Sequence, residues 1–586
     1  MPTAVLVLPP EHRFDPQVAP SYSRWVPPKW MLQHASNPPT PRRPNANGLG
    51  EEWSPKKPSF RGIDLTKPDP RIRVPDISIA SDVSDDQETA FVDVQILDST
   101  GKEPYRGDVL VRGKRIVSVG EEIAPEVLAR ARVIQGNGRT LMSGLCDAHT
   151  HFTWTNAASL DGLADMPVEE HTLFSARSAR TFLDCGYTMC FGAASAKSRI
   201  DAVVKNAINA GDIPGPRALA NAAEMAPHDG ALVPGITRFV ETPEEITAAI
   251  NEFADQGADQ IKLSMSGEEI TEVLRAEDTT FPDELVAAGV EAAHARGLRV
   301  CSHARSDESI MQCLQYGVDV IYHASFISDS TMEALEAQKE RVFVAPALAW
   351  LVCTLEDAEA YGYPPSKAES AGYARELAIA VPGLKEMKKR GIRVMPGGDY
   401  GFAWTPHGTY RDPELFVKRL GYTPMEAILA ATALGGELLL HPEELGKVQP
   451  GYYADMILVN GNPLEDITLL SHHENLDLIM INGRIHKEQL KDRSEARYEP
   501  KGSLFNEIPE KVTESKKAVF NADFLPPYLR KSPVACFLIV SKHLTSAARI
   551  VARSSRLSEG KWTVLMKPWV TEGLLKQEEG GEFFER

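Results

Sequence analysis

Six residues at five separate places in the chain are of types that hold metal ions. Each of them lies at the end of a short apolar run. They are His149, His151, Lys262, His303, His323 and Asp399. Imidazole nitrogens and carboxylate-like oxygens are the ligands that zinc and similar divalent cations take in proteins. The residue types and their shared placement therefore predict a metal site.

His149 and His151, in the segment GLCDAHTHF, are two residues apart. Side chains two apart on a strand face the same side, so both imidazoles can bind one ion. A single pair of this kind is more often structural, and an aspartate after two glycines, such as Asp399, usually marks a turn. The metal interpretation depends on all six residues occurring in the same context.

The middle of the chain repeats a local unit in which a helical segment ends in glycine and an apolar strand follows. Glycine accepts the left-handed conformation that closes a helix, so these glycines are predicted C-caps. They are Gly186, Gly257, Gly297, Gly317 and Gly391. Repeated helix–Gly–strand units favour an α/β fold with a TIM-type (β/α)8 barrel, in which all six side chains would meet at one mouth. A doubly wound sheet is the alternative, but no glycine-rich nucleotide loop supports it.

Strand-like segments occur on both sides of this middle region, with alternating apolar residues and turn glycines. They predict one small β-sandwich built from both ends of the barrel. The first 75 residues are rich in proline, which indicates an extended arm. The predicted organisation is an arm (1–86), the first part of the sandwich (87–143), the barrel (144–441), the second part of the sandwich (442–488) and a C-terminal extension of unknown role (489–586).

Composition excludes several classes of protein. The net charge of −18 over 586 residues argues against a nucleic-acid binder, whose surface would be basic. The N-terminus lacks a basic region followed by an uninterrupted apolar run, and no apolar run is long enough to cross a bilayer. Seven irregularly spaced cysteines indicate reduced thiols rather than a disulfide framework. We therefore expect a cytoplasmic protein that associates with neither nucleic acid nor membrane.

GLCDAHTHF and the later segment GKVQPGYYADMILVNGNP resemble the opening and closing motifs of the amidohydrolase superfamily. Together with the six ligand-type residues, they are similar to its two-metal branch with a bridging lysine. The resemblance covers about residues 88–488 and is to the imidazolonepropionase-related, prolidase-like and ochratoxinase-like hydrolases. It implies a hydrolase that cleaves a C–N bond in an amide, dipeptide or cyclic amide.

The resemblance also assigns roles to the six residues. It implies that His149, His151 and Asp399 bind the more buried ion, that His303 and His323 bind the more exposed one, and that Lys262 bridges them. A lysine ammonium has no lone pair to offer a metal. Burial near cations lowers its pKa, and the neutral amine can then capture carbon dioxide as a bridging carbamate. The expected cofactors are two divalent ions, zinc or else manganese or cobalt, with N-carboxylated Lys262.

Such a pair of ions would lower the pKa of a shared water and provide hydroxide at neutral pH. The hydroxide would attack a carbonyl polarised by the exposed ion. Asp399 would take the proton and pass it to the leaving nitrogen, which must be protonated before it departs.

Several residues near the predicted strand ends could bind the substrate. They are His228, Arg305, Tyr322, Tyr400 and His407. Arg305 could pair with a substrate carboxylate through two parallel hydrogen bonds. An internal ion pair or a hydrogen bond that anchors a loop is the alternative for each of them. Tyr322 would point away from His323 on a regular strand.

Two other functions remain open at the level of sequence. A mononuclear deaminase of a heterocyclic amine would use a glutamate after the fifth strand, and Glu308 is available. A non-catalytic scaffold that kept only the fold is the second alternative, although none of the six ligand-type residues is missing. The expected partner is a small amide or dipeptide substrate, and the aromatic N-terminal arm could contact a neighbouring subunit of a homo-oligomer.

Overall fold

The computed structural model describes residues 59–80, 82–230, 232–271 and 274–490, with four short strands nearer the C-terminus. The chain divides into two compact units, Met1–Pro500 and Lys501–Arg586. The predicted arm up to residue 58 and most of the predicted C-terminal extension lie outside the described residues. No helix in the described part of the chain combines the length and apolar character needed to cross a bilayer.

The first unit is mixed α/β. Its strands, in chain order, are β1 Ser59–Phe60, β2 Ile63–Asp64, β3 Glu88–Leu97, β4 Tyr105–Arg112, β5 Arg115–Val119, β6 Arg132–Gln135, β7 Thr140–Ser143, β8 Leu145–Thr150, β9 Tyr187–Gly192, β10 Arg217–Leu219, β11 Met225–Ala226, β12 Arg238–Phe239, β13 Gln260–Ser264, β14 Arg299–Ala304, β15 Val320–His323, β16 Phe343–Ala345, β17 Arg393–Val394, β18 Met456–Val459, β19 Leu476–Ile481 and β20 Arg484–Glu488. In the second unit, β21 Ala518–Phe520, β22 Ile550–Ala552, β23 Leu575–Gln577 and β24 Phe583–Glu585 pair in the order β21-β22-β24-β23.

The α-helices fall mainly between the strands of the middle region. They are α1 Pro125–Leu128, α2 Val168–Asp184, α3 Ile200–Ala210, α4 Pro243–Asp255, α5 Asp283–Ala295, α6 Asp307–Tyr316, α7 Asp329–Ala337, α8 Leu348–Glu356, α9 Pro365–Ala371, α10 Tyr373–Lys389, α11 Asp412–Leu420, α12 Pro424–Ala431 and α13 Ala433–Leu438.

The strands that carry the ligand-type residues belong to two parallel sheets. One sheet has the order β10-β9-β8, and the other has the order β12-β11-β13-β14-β15-β16-β17. Residues 145–150 of β8 and 299–304 of β14 are buried along their whole length, as expected for strands covered on both faces. Parallel strands place their carboxyl ends at one edge, which brings distant parts of the sequence together.

Hydrogen bonds connect the two parallel sheets at two places. Asn221, after β10, and Gln260, on β13, form an isolated parallel bridge, and the side chain of Gln260 donates to the carbonyl of Gly192 at 2.8 Å. Beside the edge strands β8 and β17, the backbone N–H of Ala148 donates to the carbonyl of Pro396 at 3.0 Å. Among the described residues, strand pairing itself does not run unbroken around a closed ring.

The predicted helix-terminating glycines adopt the left-handed conformation. Their φ angles lie between 73° and 99°. They are Gly186, Gly257, Gly297, Gly317 and Gly391. This prediction is confirmed, because a residue with a Cβ pays a steric cost at these angles.

The remaining sheet draws strands from both sides of the middle region. Its order is β20-β19-β18-β7-β3-β4-β5, and β6 pairs with β3. β7 runs parallel to β3 and antiparallel to β18, so the two chain segments meet within one sheet between β7 and β18. A buried ion pair joins the segments, with Nε of Arg139 2.6 Å from Oδ2 of Asp477. The two-layer sandwich and the domain limits remain predictions.

A fully buried arginine fastens this sheet to the parallel strands. Nε of Arg217, on β10, lies 2.6 Å from Oδ2 of Asp455, and a terminal nitrogen of Arg217 donates to Oδ1 of Asn482 at 3.0 Å. The guanidinium also lies 3.9 Å from the ring centroid of Tyr453. Removing one partner from such a buried pair leaves the other charge without compensation.

The described N-terminal segment is held against helix α5 by a buried cluster of charges. Nδ1 of His294 lies 3.2 Å from Oδ2 of Asp69, and its Nε2 lies 3.0 Å from Oδ2 of Asp319. Burial opposes protonation of His294, but the two carboxylates outweigh it and raise the pKa of the imidazole to about 9. His294 is therefore positively charged at neutral pH.

The folding free energy should depend on pH through His294. Because its pKa is about 9 in the folded chain against an ordinary 6.5, the stabilisation is complete below about pH 6.5 and is lost as the pH rises through 9. The effect amounts to up to about 3 kcal/mol. Denaturant unfolding at several pH values should show that His294→Gln loses less unfolding free energy than the wild type between pH 6.5 and 9. His228→Gln, at an exposed site, should keep the wild-type slope, and an unchanged slope in His294→Gln would contradict the assignment.

Candidate metal centre

The structure places His149, His151 and Asp399 in direct contact. His149 lies in β8, His151 follows its end, and Asp399 lies in the loop after β17. Nε2 of His151 is 3.1 Å and Nε2 of His149 is 3.5 Å from Oδ1 of Asp399. The ring centroids of the two histidines are 5.2 Å apart. The two imidazoles thus face one carboxylate.

His323 and His303 complete a cluster of four imidazoles. The ring centroid of His323, the last residue of β15, is 5.3 Å from that of His149 and 4.4 Å from that of His303, in β14. Candidate ligand atoms of His149, His323 and Asp399 all lie within 4.8 Å of one another. Nε2 of His303 lies 3.0 Å from the carbonyl oxygen of Gly267, a contact that orients the ring.

Lys262 occupies the middle of β13, beside these histidines. Its Nζ lies 4.3 Å from the ring centroid of Tyr322, which in turn stacks on His149 with centroids 3.7 Å apart. Burial lowers the pKa of the Lys262 amine. A fraction of the side chain is then a neutral amine, the form that reacts with carbon dioxide.

Burial governs the protonation of the whole cluster. None of the six ligand-type residues is more than 7% exposed. Burial lowers the pKa values of His149, His303 and His323 well below the ordinary value, and at His149 it outweighs the opposing effect of Asp399. Burial opposes ionisation of Asp399, but His149 and His151 outweigh it and hold the pKa of that carboxyl well below its usual range. Neutral imidazoles and an ionised carboxylate are the states that bind a metal.

The cluster contains buried nitrogens for which a cation would be a suitable partner. Among the described residues, Nδ1 of His149 and both ring nitrogens of His323 have no hydrogen-bond partner. Buried polar atoms are nearly always satisfied, so orphaned nitrogens need an explanation. A divalent cation, which binds one nitrogen of each imidazole, would satisfy part of this set, and the imidazole and carboxylate donors therefore fit a metal centre.

The loop that presents Asp399 is shaped by close backbone contacts. Asp399 has a φ of 62°, an angle that residues other than glycine rarely adopt. A Cβ on Gly397 would lie 2.7 Å from the backbone nitrogen of His149, and one on Gly398 would lie 2.4 Å from Oδ2 of Asp412. The segment GGD thus brings the loop backbone against β8, and the strain at Asp399 is located at the site.

Two further residues support His149 and His151, and neither was predicted from the sequence. Oδ1 of Asp147 accepts hydrogen bonds from the N–H of His149 at 3.0 Å and from the Thr150 hydroxyl at 2.7 Å. Trp154 stacks on His151 with centroids 3.8 Å apart. Asp147 belongs to the opening motif, so a signal for it was present, whereas nothing in the sequence distinguishes Trp154 from a packing residue.

Two of the predicted substrate-binding residues lie against the ligand-type residues. Tyr322 stacks on His149, with ring centroids 3.7 Å apart. His407 is buried, and its Nε2 lies 2.9 Å from the carbonyl oxygen of His151. Burial lowers the pKa of His407 to about 4. Both residues are placed to hold the histidines in position.

The other three predicted substrate-binding residues interact with residues other than the six ligand-type residues. The hydroxyl of Tyr400 donates to Oδ2 of Asp412 at 2.6 Å, below the Asp399 loop. His228 is exposed and stacks on Phe239, with centroids 4.0 Å apart. Arg305 is fully buried and takes part in an internal ion-pair network, which is the alternative that the sequence left open.

Glu308, the residue available for a mononuclear deaminase, is exposed on the first turn of α6. All six ligand-type residues are buried. An exposed helix position does not direct the carboxylate towards a buried centre. The placement of Glu308 therefore gives the deaminase interpretation no support.

Comparison with known proteins matches most of the first unit. A model of the amidohydrolase family matches residues 140–486. Ochratoxinase from Aspergillus niger is 26% identical over 435 residues, which cover 69% of this chain and 88% of the relative. The crystal structure of an amidohydrolase superposes with a TM-score of 0.62 at 25% identity, covering 69% of this chain and 100% of the other. The structure of a Xaa-Pro dipeptidase with bound methionine in its active site superposes with a TM-score of 0.60 at 23% identity, covering 68% of this chain and 100% of the other.

The family model spans more than half of the chain and includes all six ligand-type residues. The resemblance seen in the opening and closing motifs is thereby confirmed. The chain belongs to the amidohydrolase family and is a hydrolase that acts on carbon–nitrogen bonds.

Proposed function

We propose that this chain hydrolyses an amide-type C–N bond at a centre of two divalent metal ions, held at the mouth of a (β/α)8 barrel. The observation that carries the proposal is the buried cluster of four imidazoles, Lys262 and Asp399, in which ring nitrogens have no other partner. Hydrogen bonds that connect the two parallel sheets at two places support the closed barrel. The similarity to ochratoxinase supports an amide as substrate.

His149, His151 and Asp399 would hold one ion, because their ligand atoms already converge. His303 and His323 would hold the other, and N-carboxylated Lys262 would bridge the pair. Zinc suits this donor set, and manganese or cobalt can replace it. When bound, the two ions would supply a water activated at neutral pH and a Lewis acid for the substrate carbonyl.

Asp399 would serve as the proton shuttle. Its carboxylate is ionised and lies against both histidines of the first ion, so it can receive the proton of the attacking water. The same carboxyl group would then protonate the nitrogen of the departing amine. The strained backbone at Asp399 and the glycines beside it hold the carboxylate in one position, which favours transfer over a short fixed distance.

The proton shuttle is tested by Asp399→Asn, which keeps an oxygen ligand of the same shape but cannot accept a proton. Hydrolysis should fall by about 10²- to 10⁴-fold while most of the metal is retained. Turnover and metal content measured on the same preparation check this. Glu308→Gln should leave turnover unchanged, because the residue is exposed. Full activity in Asp399→Asn would refute the assignment, and loss of activity in Glu308→Gln would favour the deaminase.

The bridging role of Lys262 is tested by Lys262→Ala. Without the amine no carbamate can form, so the purified variant should have lost the metal pair and its activity. Acetate or propionate should restore part of both, because a small carboxylate can occupy the bridging position. Metal analysis with and without added acid measures the effect. A variant that keeps two ions without acid would exclude the carbamate bridge.

Metal stoichiometry separates the binuclear hydrolase from the mononuclear alternative. We expect two ions per chain, and their removal with a chelator should abolish hydrolysis and lower the melting temperature, since a ligand that binds only the folded state stabilises it. Activity should return on addition of zinc, manganese or cobalt. Full activity with one ion per chain would contradict the two-metal centre.

A further inference from the structure

Arg305 is enclosed by two carboxylates beside the candidate metal centre. It follows β14 directly and is two residues beyond His303. Its side chain is fully buried. One terminal nitrogen lies 2.5 Å from Oε1 of Glu376, and the other contacts Oε2 of Glu268. Both terminal nitrogens of the guanidinium, the groups that would grip a ligand carboxylate, are therefore occupied by protein carboxylates.

Both carboxylates also accept hydrogen bonds from groups other than Arg305. Oε1 of Glu268 accepts hydrogen bonds from the hydroxyl of Tyr373 at 2.6 Å and from the N–H of Glu269 at 3.1 Å. Oε1 of Glu376 accepts the hydroxyl of Ser325 at 2.5 Å. Glu268 and Glu376 are 6% and 0% exposed. Moving either carboxylate away from Arg305 to admit a ligand would cost the free energy of these hydrogen bonds.

The cluster lies on the side of the centre formed by His303 and His323. Ser325 follows His323 by two residues, and the carbonyl of Gly267, beside Glu268, contacts His303. The two acidic side chains that contact Arg305 offset the positive charge of its guanidinium. Charges buried in a low-dielectric region act strongly on their neighbours. A further carboxylate at Arg305 would meet a guanidinium whose charge is already offset and whose two terminal nitrogens already contact acidic side chains.

Two other arginines near this end of the barrel are paired with acids as well. Arg275 lies 3.1 Å from Oε2 of Glu269, and Arg411 lies 3.4 Å from Oδ2 of Asp357. Each of these two arginines thus has an acidic partner.

We infer that Glu268 and Glu376 make the site selective against substrates with a free carboxylate beside the scissile bond, and in favour of uncharged or cationic amides. This inference rests on the proposed amide hydrolysis and narrows its substrate class. Glu268 and Glu376 determine specificity through Arg305, because they remove the positive charge that would attract a carboxylate. An Xaa-Pro dipeptide with a free C-terminus is thus a poor substrate, and its C-terminal amide is a better one.

Matched substrates that differ only in this group test the inference. The metal-loaded full-length protein would be assayed with Ala-Pro and Ala-Pro-amide, and with Ala-Phe and Ala-Phe-amide. We expect kcat/KM to favour the amide of each pair by roughly tenfold or more, because a substrate carboxylate placed beside the acidic side chains at Arg305 is repelled by them. Equal values, or a preference for the free acid, would overturn the inference.

Freeing Arg305 should weaken the preference. In Glu376→Gln and Glu268→Gln, one carboxylate is replaced by a neutral amide of the same size, and the ratio should shift towards the free acid by roughly tenfold. Glu269→Gln is the matched control, because its side chain pairs with Arg275 instead, and it should keep the wild-type ratio. Thermal unfolding identifies a variant that fails to fold, and the wild-type ratio decides the inference without either variant.

A binding measurement separates this inference from the proposed function. Calorimetric titration of the metal-loaded protein with phenylalaninamide and with phenylalanine requires no catalysis. Tighter binding of phenylalaninamide supports the inference even if no peptide is hydrolysed, a result that would count against the proposed function alone. Tighter binding of phenylalanine, or no difference between the two, would overturn the inference.

Discussion

Burial of the ligand-type side chains imposes the constraint on which the rest of the structure depends. Imidazoles, an amine and a carboxylate withdrawn from water are costly unless they are neutral, paired or bound to a cation. The parallel strands satisfy part of this requirement by presenting the side chains at one edge. The supporting residues satisfy another part: Asp147 binds the backbone of His149, and Gly267 orients His303. Among the described residues, four ring nitrogens of His149, His151 and His323 remain without a hydrogen-bond partner, and they indicate that the cluster is suited to bind a cation.

The surroundings of the centre are organised by the same electrostatic requirement. Several buried charges outside the metal cluster are paired with counter-charges: Arg217 with Asp455, Arg139 with Asp477, and His294 between two aspartates. Arg305 follows this pattern with two acidic partners. A guanidinium whose charge is offset is electrostatically compatible with a neighbouring binuclear cation centre, whereas an unpaired guanidinium there would repel both ions. Specificity and metal binding would thus share one arrangement of charges.

Much of the site could be predicted from the sequence because its signals are local. Strand ends, helix-capping glycines and the His-x-His spacing each occupy a few adjacent residues, and the structure brings the predicted ligand-type residues together. The substrate-binding residues were harder to predict, because their roles depend on partners that are distant in the chain. Chemical type and proximity to the ligand-type residues in the sequence are the signals that Arg305 and Tyr400 offer. Glu376, 71 residues after Arg305, occupies the guanidinium, and no local pattern shows that contact.

The sheet assembled from both sides of the parallel region has a consequence for biosynthesis. β7 is made early, but its antiparallel neighbour β18 leaves the ribosome only after roughly 300 further residues, a delay of some tens of seconds at typical elongation rates. During that interval one edge of β7 has no strand to pair with, and exposed edges invite association with other chains. Nascent polypeptides of this enzyme therefore need protection at that edge until translation has passed β18.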